Sequence, residues 1–314
     1  MTLNMRTAYG EALLVLGHKD QRIVALEADL GKSTMSILFG KEFPKRYFQM
    51  GIAEANMISA AAGLALTGHI AYASTFAVFA SGRPYDQIRS SVCIPRLNVK
   101  ICGSSAGLSD FGDGKTHQSV DDIALMRVLP NMKVFSPADA NEAYKITLAM
   151  ADIPGPCYIR LNRNDVPAVT SESDSFEYGK AKLMRDGTDC VLYATGYMVH
   201  QALEAAGILE AEGISLRVVN IHTIKPLDEE GIRLYAAGMR AAVTAEEASI
   251  YGGLGSAICE TLCSGNSACR MPVLRVGIED CFGTSAQKYS ELLVAYHLTS
   301  KDIAAKVKQA LEIG

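Results

Sequence analysis

The residues that invite chemistry begin with Glu54. It heads a run of small and apolar side chains, EANMISAAAGLAL (54–66), with Ala53 and Ala55 on either side. A carboxylate entering an apolar interior is costly unless it is paired, protonated or used. The acid is therefore either a first-turn Glu favoured by the helix dipole, or a buried carboxyl with a raised pKa kept for chemistry. Asp113 and His117 lie in a second stretch, the glycine-rich loop AGLSDFGDGKTHQ (106–118). Histidine titrates near neutrality unaided, so His117 is a candidate proton carrier, against the plainer reading of a surface loop residue. Phe76 and Phe79 are three apart. On one helix face they make either core or an aromatic platform for a flat heterocycle. Arg160 closes the apolar run CYIRL (157–161) as a structural ion pair or as an anion ligand, and Arg6 is a solvated charge or a second such ligand. Arginine suits phosphate because its planar fork bonds two oxygens at once.

Such residues need elements to position them. Strand-like runs alternate with helical patterns nearly throughout, the signature of parallel sheets with helices on both faces. Helices are predicted over 4–17, from Glu54 to Thr67, and over 120–128 and 138–151. Strands are predicted over 23–30, 69–75, 98–105, 133–137 and 157–161. A helix after residue 75 carries both phenylalanines. The helix that begins at Glu54 is expected to be packed on all sides, because nearly every side chain in it is apolar or tiny. A polar stretch with Pro167 and a run of Ser, Glu and Asp marks a linker over 166–177. Beyond it the alternation resumes, with strands at 189–196, 216–221, 240–247 and 271–277 and a last helix over 300–312. The fold class is α/β: two doubly wound domains, 1–165 and 178–314. Ligands of open parallel sheets gather at the carboxyl ends of strands. Asp29, Ser33, Ser74, Ser105 and Arg160 fall near such ends in the first domain; the strand ends of the second, with Glu246 and Glu247, are less loaded.

The 314 residues are 49% hydrophobic and 20% charged, enough for a sizeable core. A net charge of −4 gives no nucleic-acid surface. No apolar run reaches membrane-span length, and MTLNMRTAYG is not a signal peptide. The eight cysteines are scattered with no CxxC, as buried thiols of a reducing cytoplasm would be. Cys259 and Cys263 lack a second ligand pair, so no zinc site is expected.

The motifs EADLGKS (27–33), QMGIAEANM (49–57), STFAVF (74–79), GDGKTHQS (112–119), LPNMKVFSPADANE (129–142) and IRLNR (159–163) occur in that order, followed by YATGYMVHQALEA (193–205) and IEDCFGTSA (278–286). In this order and spacing the chain resembles the C-terminal half of transketolase, specifically the separate C-terminal subunit of split transketolases. The resemblance covers essentially the whole chain. It implies a thiamine-diphosphate pyrimidine-binding domain followed by a transketolase C-terminal domain. It puts Glu54 at the carboxyl that bonds N1′ of the aminopyrimidine, Phe76 and Phe79 around that ring, and Asp29 near the cofactor. It puts His117 over the reacting carbon with Asp113 beside it, and makes Arg6, Ser33 and Arg160 sugar-phosphate anchors. Gly82 stands where full-length transketolases have a tyrosine, and Ser105 where they have a second active-site histidine. Both departures touch substrate choice, and fit a branched ketose phosphate such as apulose 4-phosphate as well as xylulose 5-phosphate.

Gly112-Asp113-Gly114 looks like the start of the magnesium-diphosphate motif of thiamine enzymes, but no Asn-Asn pair follows, so no metal site is expected. The resemblance therefore implies that an N-terminal-half subunit holds the diphosphate and Mg2+, in an α2β2 heterotetramer, and that this chain alone is inactive. The rival readings are the β subunit of a 2-oxo-acid dehydrogenase, deoxyxylulose-phosphate synthase, and a non-catalytic module that kept the fold.

Overall fold

A computed structural model of the chain describes residues 2–264 and 271–313. Cys269 lies outside the described residues. The first half is built on a seven-stranded sheet. From one edge its strands are Thr223–Lys225, Lys133–Phe135, Cys157–Arg160, Val99–Ser104, Ile70–Phe76, Ile23–Glu27 and Tyr47–Gln49. All neighbours are parallel except Thr223–Lys225, which pairs antiparallel to Lys133–Phe135. Strands such as IVALE and IAYASTF are buried along their whole length, as continuous apolar runs covered on both faces must be.

The edge strand Thr223–Lys225 comes from the second half of the sequence, so the two halves interlock rather than meeting only at the linker. Asp165–Pro167 is not open linker either; it pairs antiparallel with Thr2–Asn4. The second half carries a five-stranded sheet in the order Val273–Ile278, Ala241–Ser249, Cys190–Ala194, Leu216–Asn220 and Lys182–Arg185, the last strand antiparallel. Helices Met198–Glu210 and Ser300–Ile313 pack on it through Val199, Ala202, Ile303 and Val307.

The helix after Glu54 runs from Glu54 to Leu66, and within the single chain one face of it is packed. Met57, Ile58, Ala61 and Ala62 form the buried stripe, while Asn56, Ser59, Gly63 and Leu66 are exposed. The two faces follow the 3.6-residue period; small residues on the outer face hid it from a reading by composition. Phe76 is also displaced from its expected element. It ends the strand Ile70–Phe76, and the helix Ala77–Gly82 carries Phe79 alone.

The register sets the site. Glu27 pairs Ser74, Phe76 pairs Ser104, and Gly103 pairs Arg160. The carboxyl ends of the central strands thus bring Asp29, Phe76, Ser104 and Ser105 to one edge of the sheet, and the loop 106–118 leaves from there.

Candidate active site

Glu54 is buried, 3% exposed, at the first turn of its helix. Its Oε1 accepts from Arg83 Nη1 at 2.7 Å. The buried carboxyl is thus a paired one, with a cationic partner. The same guanidinium covers Phe79, with its carbon 3.9 Å from the ring centroid. Phe79 stacks on Phe76 at 6.0 Å and an interplanar angle of 15°. The His117 ring meets both edge-on, 5.3 Å from Phe79 and 6.3 Å from Phe76, and its Nδ1 lies 3.0 Å from Thr116 Oγ1.

From Phe76 the contacts run on to cations. The Arg163 guanidinium carbon stands 5.9 Å from the Phe76 centroid. Its Nη1 lies 2.6 Å from Asp110 Oδ1 and 3.6 Å from Asp113 Oδ2. Arg6 donates to the Ser33 carbonyl at 3.0 Å and to Asn4 Oδ1, while Asn4 Nδ2 donates to the Arg163 carbonyl at 3.2 Å. Burial lowers the Arg6 pKa, and the Arg163 charge lowers it further. The two guanidiniums are held near one another, with Asp110, Asp113 and Asp165 as their carboxylate neighbours. Burial raises the Asp110 pKa against the pull of Arg163.

Of the residues expected from the sequence, Glu54, Phe76, Phe79, Asp113, His117, Arg6 and Ser33 thus fall on one line of contacts. Arg160 does not join it. Its Nε and Nη2 take the two Asp122 oxygens at 2.9 and 3.1 Å, it donates to the Glu247 carbonyl, and it is 6% exposed. As a phosphate anchor Arg160 gives way to a structural ion pair, since an arginine inside a buried strand needs a buried carboxylate. Arg163, three residues later and past the strand end, takes the edge position. A stricter reading of the strand end would have pointed to it, because ligands gather outside the carboxyl ends of the strands and Arg163 lies past that end. Asp29 sits at that edge at φ 61°, exposed, its N–H held by Gln49 Oε1 at 2.9 Å. Ser105 is wholly buried at φ 55°, and its hydroxyl, like that of Ser104, has no hydrogen-bond partner.

Residues 1–169 match the model of the transketolase pyrimidine-binding domain, and residues 179–303 that of the transketolase C-terminal domain. The chain belongs to the transketolase family. It is 44% identical to a putative transketolase C-terminal section from Methanocaldococcus jannaschii, over 98% of this chain and 96% of the relative. It is 42% identical to the 6-deoxy-6-sulfo-D-fructose transketolase subunit SqwH of a Clostridium species, over 98% and 94%. A solved split-gene transketolase, described as an inactive beta4 tetramer, superposes with a TM-score of 0.89 at 46% identity, covering 99% of each chain.

Transketolase membership implies thiamine diphosphate as cofactor. The residues fit the aminopyrimidine end of it. A buried carboxyl and a stacked phenylalanine pair are a hydrogen-bonding group beside an aromatic face, and Arg83 contacts both. Among the described residues no group of three His, Cys, Asp or Glu side chains is placed to hold a metal. No described helix is long and apolar enough to cross a membrane.

Proposed function

We propose that this chain is the pyrimidine-binding, C-terminal-half subunit of a two-subunit transketolase that moves a two-carbon glycolaldehyde unit from a ketose phosphate to an aldose phosphate. The observation that carries the reading is the run of contacts from Glu54 through Arg83, Phe79 and Phe76, with His117 edge-on to both rings, to Arg163 and, by way of Asn4, to Arg6. It offers a cofactor end, a reaction centre and an anion end in that order.

The chemistry that thiamine diphosphate supplies when bound is the making and breaking of a carbon–carbon bond beside a carbonyl. Glu54 would hold a proton at the aminopyrimidine ring nitrogen, and Phe76 and Phe79 would flank that ring. Asp29 would stand near the cofactor at the strand edge. His117 would pass protons at the substrate hydroxyls, with Asp113 orienting them. Arg6, Arg163 and Ser33 would take the sugar phosphate, and a bidentate guanidinium there favours a phosphorylated ketose over a bare 2-oxo acid. Ser105 would contact the substrate chain. The diphosphate and Mg2+ would belong to an N-terminal-half subunit in an α2β2 assembly. The names of the relatives, a C-terminal section and a subunit, support that division.

The test is co-expression with an N-terminal-half transketolase subunit. The pair is assayed with thiamine diphosphate and Mg2+ against xylulose 5-phosphate, branched pentulose phosphates, sulfonated ketoses and pyruvate. Transfer by the pair alone, abolished by Glu54→Gln, is the expected result. Turnover by the isolated chain, or turnover of pyruvate only, overturns the reading.

A further inference from the structure

The loop bearing Asp110, Asp113 and His117 leaves the sheet after Ser105 and returns at Ser119. Gly107 and Ser119 close its neck with two backbone hydrogen bonds of 2.9 and 3.0 Å. The first domain holds one shoulder, where Arg163 N–H and Asn164 Nδ2 donate to Ser109. The other supports come from the second domain. Glu247, buried in the strand Ala241–Ser249, accepts from the Leu108 N–H at 2.7 Å through Oε1. Its Oε2 accepts from Tyr289 Oη at 2.7 Å and from Asn162 Nδ2 at 3.4 Å. A Cβ on Gly107, which lies at φ +65°, would stand 2.6 Å from the Glu247 carboxyl carbon, so the neck rests directly on the acid. On the far side Ala286 N–H donates to the Phe111 carbonyl at 2.8 Å. Gln118 Nε2 reaches Thr284 O at 3.0 Å and Asp110 O at 3.2 Å.

A carboxylate in a dry interior is expensive, and Glu247 does not face the line of contacts described above. Its bonds go to the backbone of the loop and to the two side chains that orient it. A buried carboxyl oxygen that accepts from a backbone N–H at 2.7 Å makes a directional bond, which suits a part that must fix position within fractions of an ångström. We infer that the second domain serves as the seat of the substrate loop, with Glu247 the positioning residue that pins the loop's neck and so sets where Asp113 and His117 stand. What those two residues then touch rests on the transketolase reading; the seating of the loop does not.

The test uses the full chain, alone and assembled with its N-terminal-half partner. Hydrogen exchange is followed by mass spectrometry in Glu247→Ala, Glu247→Gln and Tyr289→Phe. In Glu247→Ala, exchange over 106–118 should rise about tenfold while 23–27 and 70–76 stay protected. In the assembled enzyme, KM for the ketose phosphate should rise about tenfold, with kcat falling less and thiamine diphosphate affinity within about twofold of wild type. Glu247→Gln keeps an oxygen for Leu108 N–H and should restore most of both. Unchanged exchange over 106–118, or exchange that rises equally in every strand with KM unmoved, overturns the inference. If Glu247→Ala does not fold, Tyr289→Phe decides. It removes one donor to the same carboxylate and should still loosen the loop by a few fold; no change in the loop is the overturning result. If the pair has no activity, the transketolase reading fails while the exchange contrast still judges the seat.

Discussion

Arg83 bridges Glu54 and Phe79: its Nη1 lies 2.7 Å from Glu54 Oε1 while its guanidinium carbon covers the Phe79 ring at 3.9 Å. The Glu54 side chain is almost fully buried and that of Arg83 is about half exposed, at 4% and 47%. Removing the arginine leaves a dry carboxylate unpaired. Arg83→Met should therefore destabilise the free chain by about 1–2 kcal/mol, toward the low end because half of the cation faces water. Glu54→Gln needs no cation, so adding it to Arg83→Met should recover much of the loss. A double-mutant cycle by denaturant unfolding reads the coupling. Additive losses would mean that the contact carries no coupling energy.

Arg160 and Arg163 separate stability from binding within four residues. Arg160 and Asp122 are buried together, and Tyr158 Oη also donates to Asp122 at 2.7 Å. Asp122→Ala strands both, and should cost about 3–5 kcal/mol of folding stability. Arg163 is partly exposed at the ligand edge. Arg163→Ala should leave the melting temperature within a few degrees of wild type but raise KM for a phosphorylated ketose at least tenfold in the assembled enzyme, a loss of about 1.4 kcal/mol or more. Unfolding curves and steady-state kinetics on the same two variants check the split. A KM unmoved by Arg163→Ala would remove it from the phosphate end.

The strand–helix alternation was legible because buried parallel strands write themselves as unbroken apolar runs; IVALE and IAYASTF could be little else. Glu54 and His117 stood out as polar types in places that make them costly or useful. Other features were not legible for physical reasons. The outer face of the helix Glu54–Leu66 carries Asn56, Ser59 and Gly63, which suit burial and exposure alike, and ends on an exposed Leu66. Thr223–Lys225 is three residues long, and its pairing with Lys133–Phe135 spans the two domains, beyond any local pattern. Arg160 and Arg163 differ only by which side of the strand end they fall on. Glu247 was visible as one of two acids closing an apolar strand, but its target is the backbone of Leu108, 139 positions away, and backbone targets leave no mark in side-chain chemistry.

Ser105 joins backbone strain to an idle hydroxyl. At φ 55° a serine is held where glycine is at ease, and its buried Oγ has no partner. Strained residues cluster at functional sites, which is the ground for testing the proposed substrate role of Ser105. Ser105→Gly should therefore stabilise the chain by about 0.5–1 kcal/mol, while raising KM for the sugar in the assembled enzyme. Calorimetry and kinetics together decide it. A variant both more stable and equally active would take the hydroxyl out of the substrate site.

Stability should fall as pH rises through neutrality. Burial pushes the carboxyls of Glu142, Glu246 and Glu247 up to about 7, from an ordinary 4.5. Between those values the folded chain keeps protons that the unfolded chain has released, so each acid's contribution declines across that window and levels off above it. Burial moves His222 the other way, down to about 4 from 6.5, so its share of stability is lost as pH falls below 6.5. Three acids outweigh one imidazole where the windows overlap, and above 6.5 only the acids act. The melting temperature should drop between pH 6 and pH 8. Glu246 isolates the effect, since its oxygens take the N–H groups of Leu254 and Gly255 at 2.7 and 2.8 Å, at the start of the helix Leu254–Cys263. In Glu246→Gln no proton is exchanged at that site, so the drop between pH 6 and pH 8 should shrink even though the variant is less stable at the acid end. Calorimetric scans at both pH values measure it, and an undiminished drop would show that Glu246 does not titrate in this window.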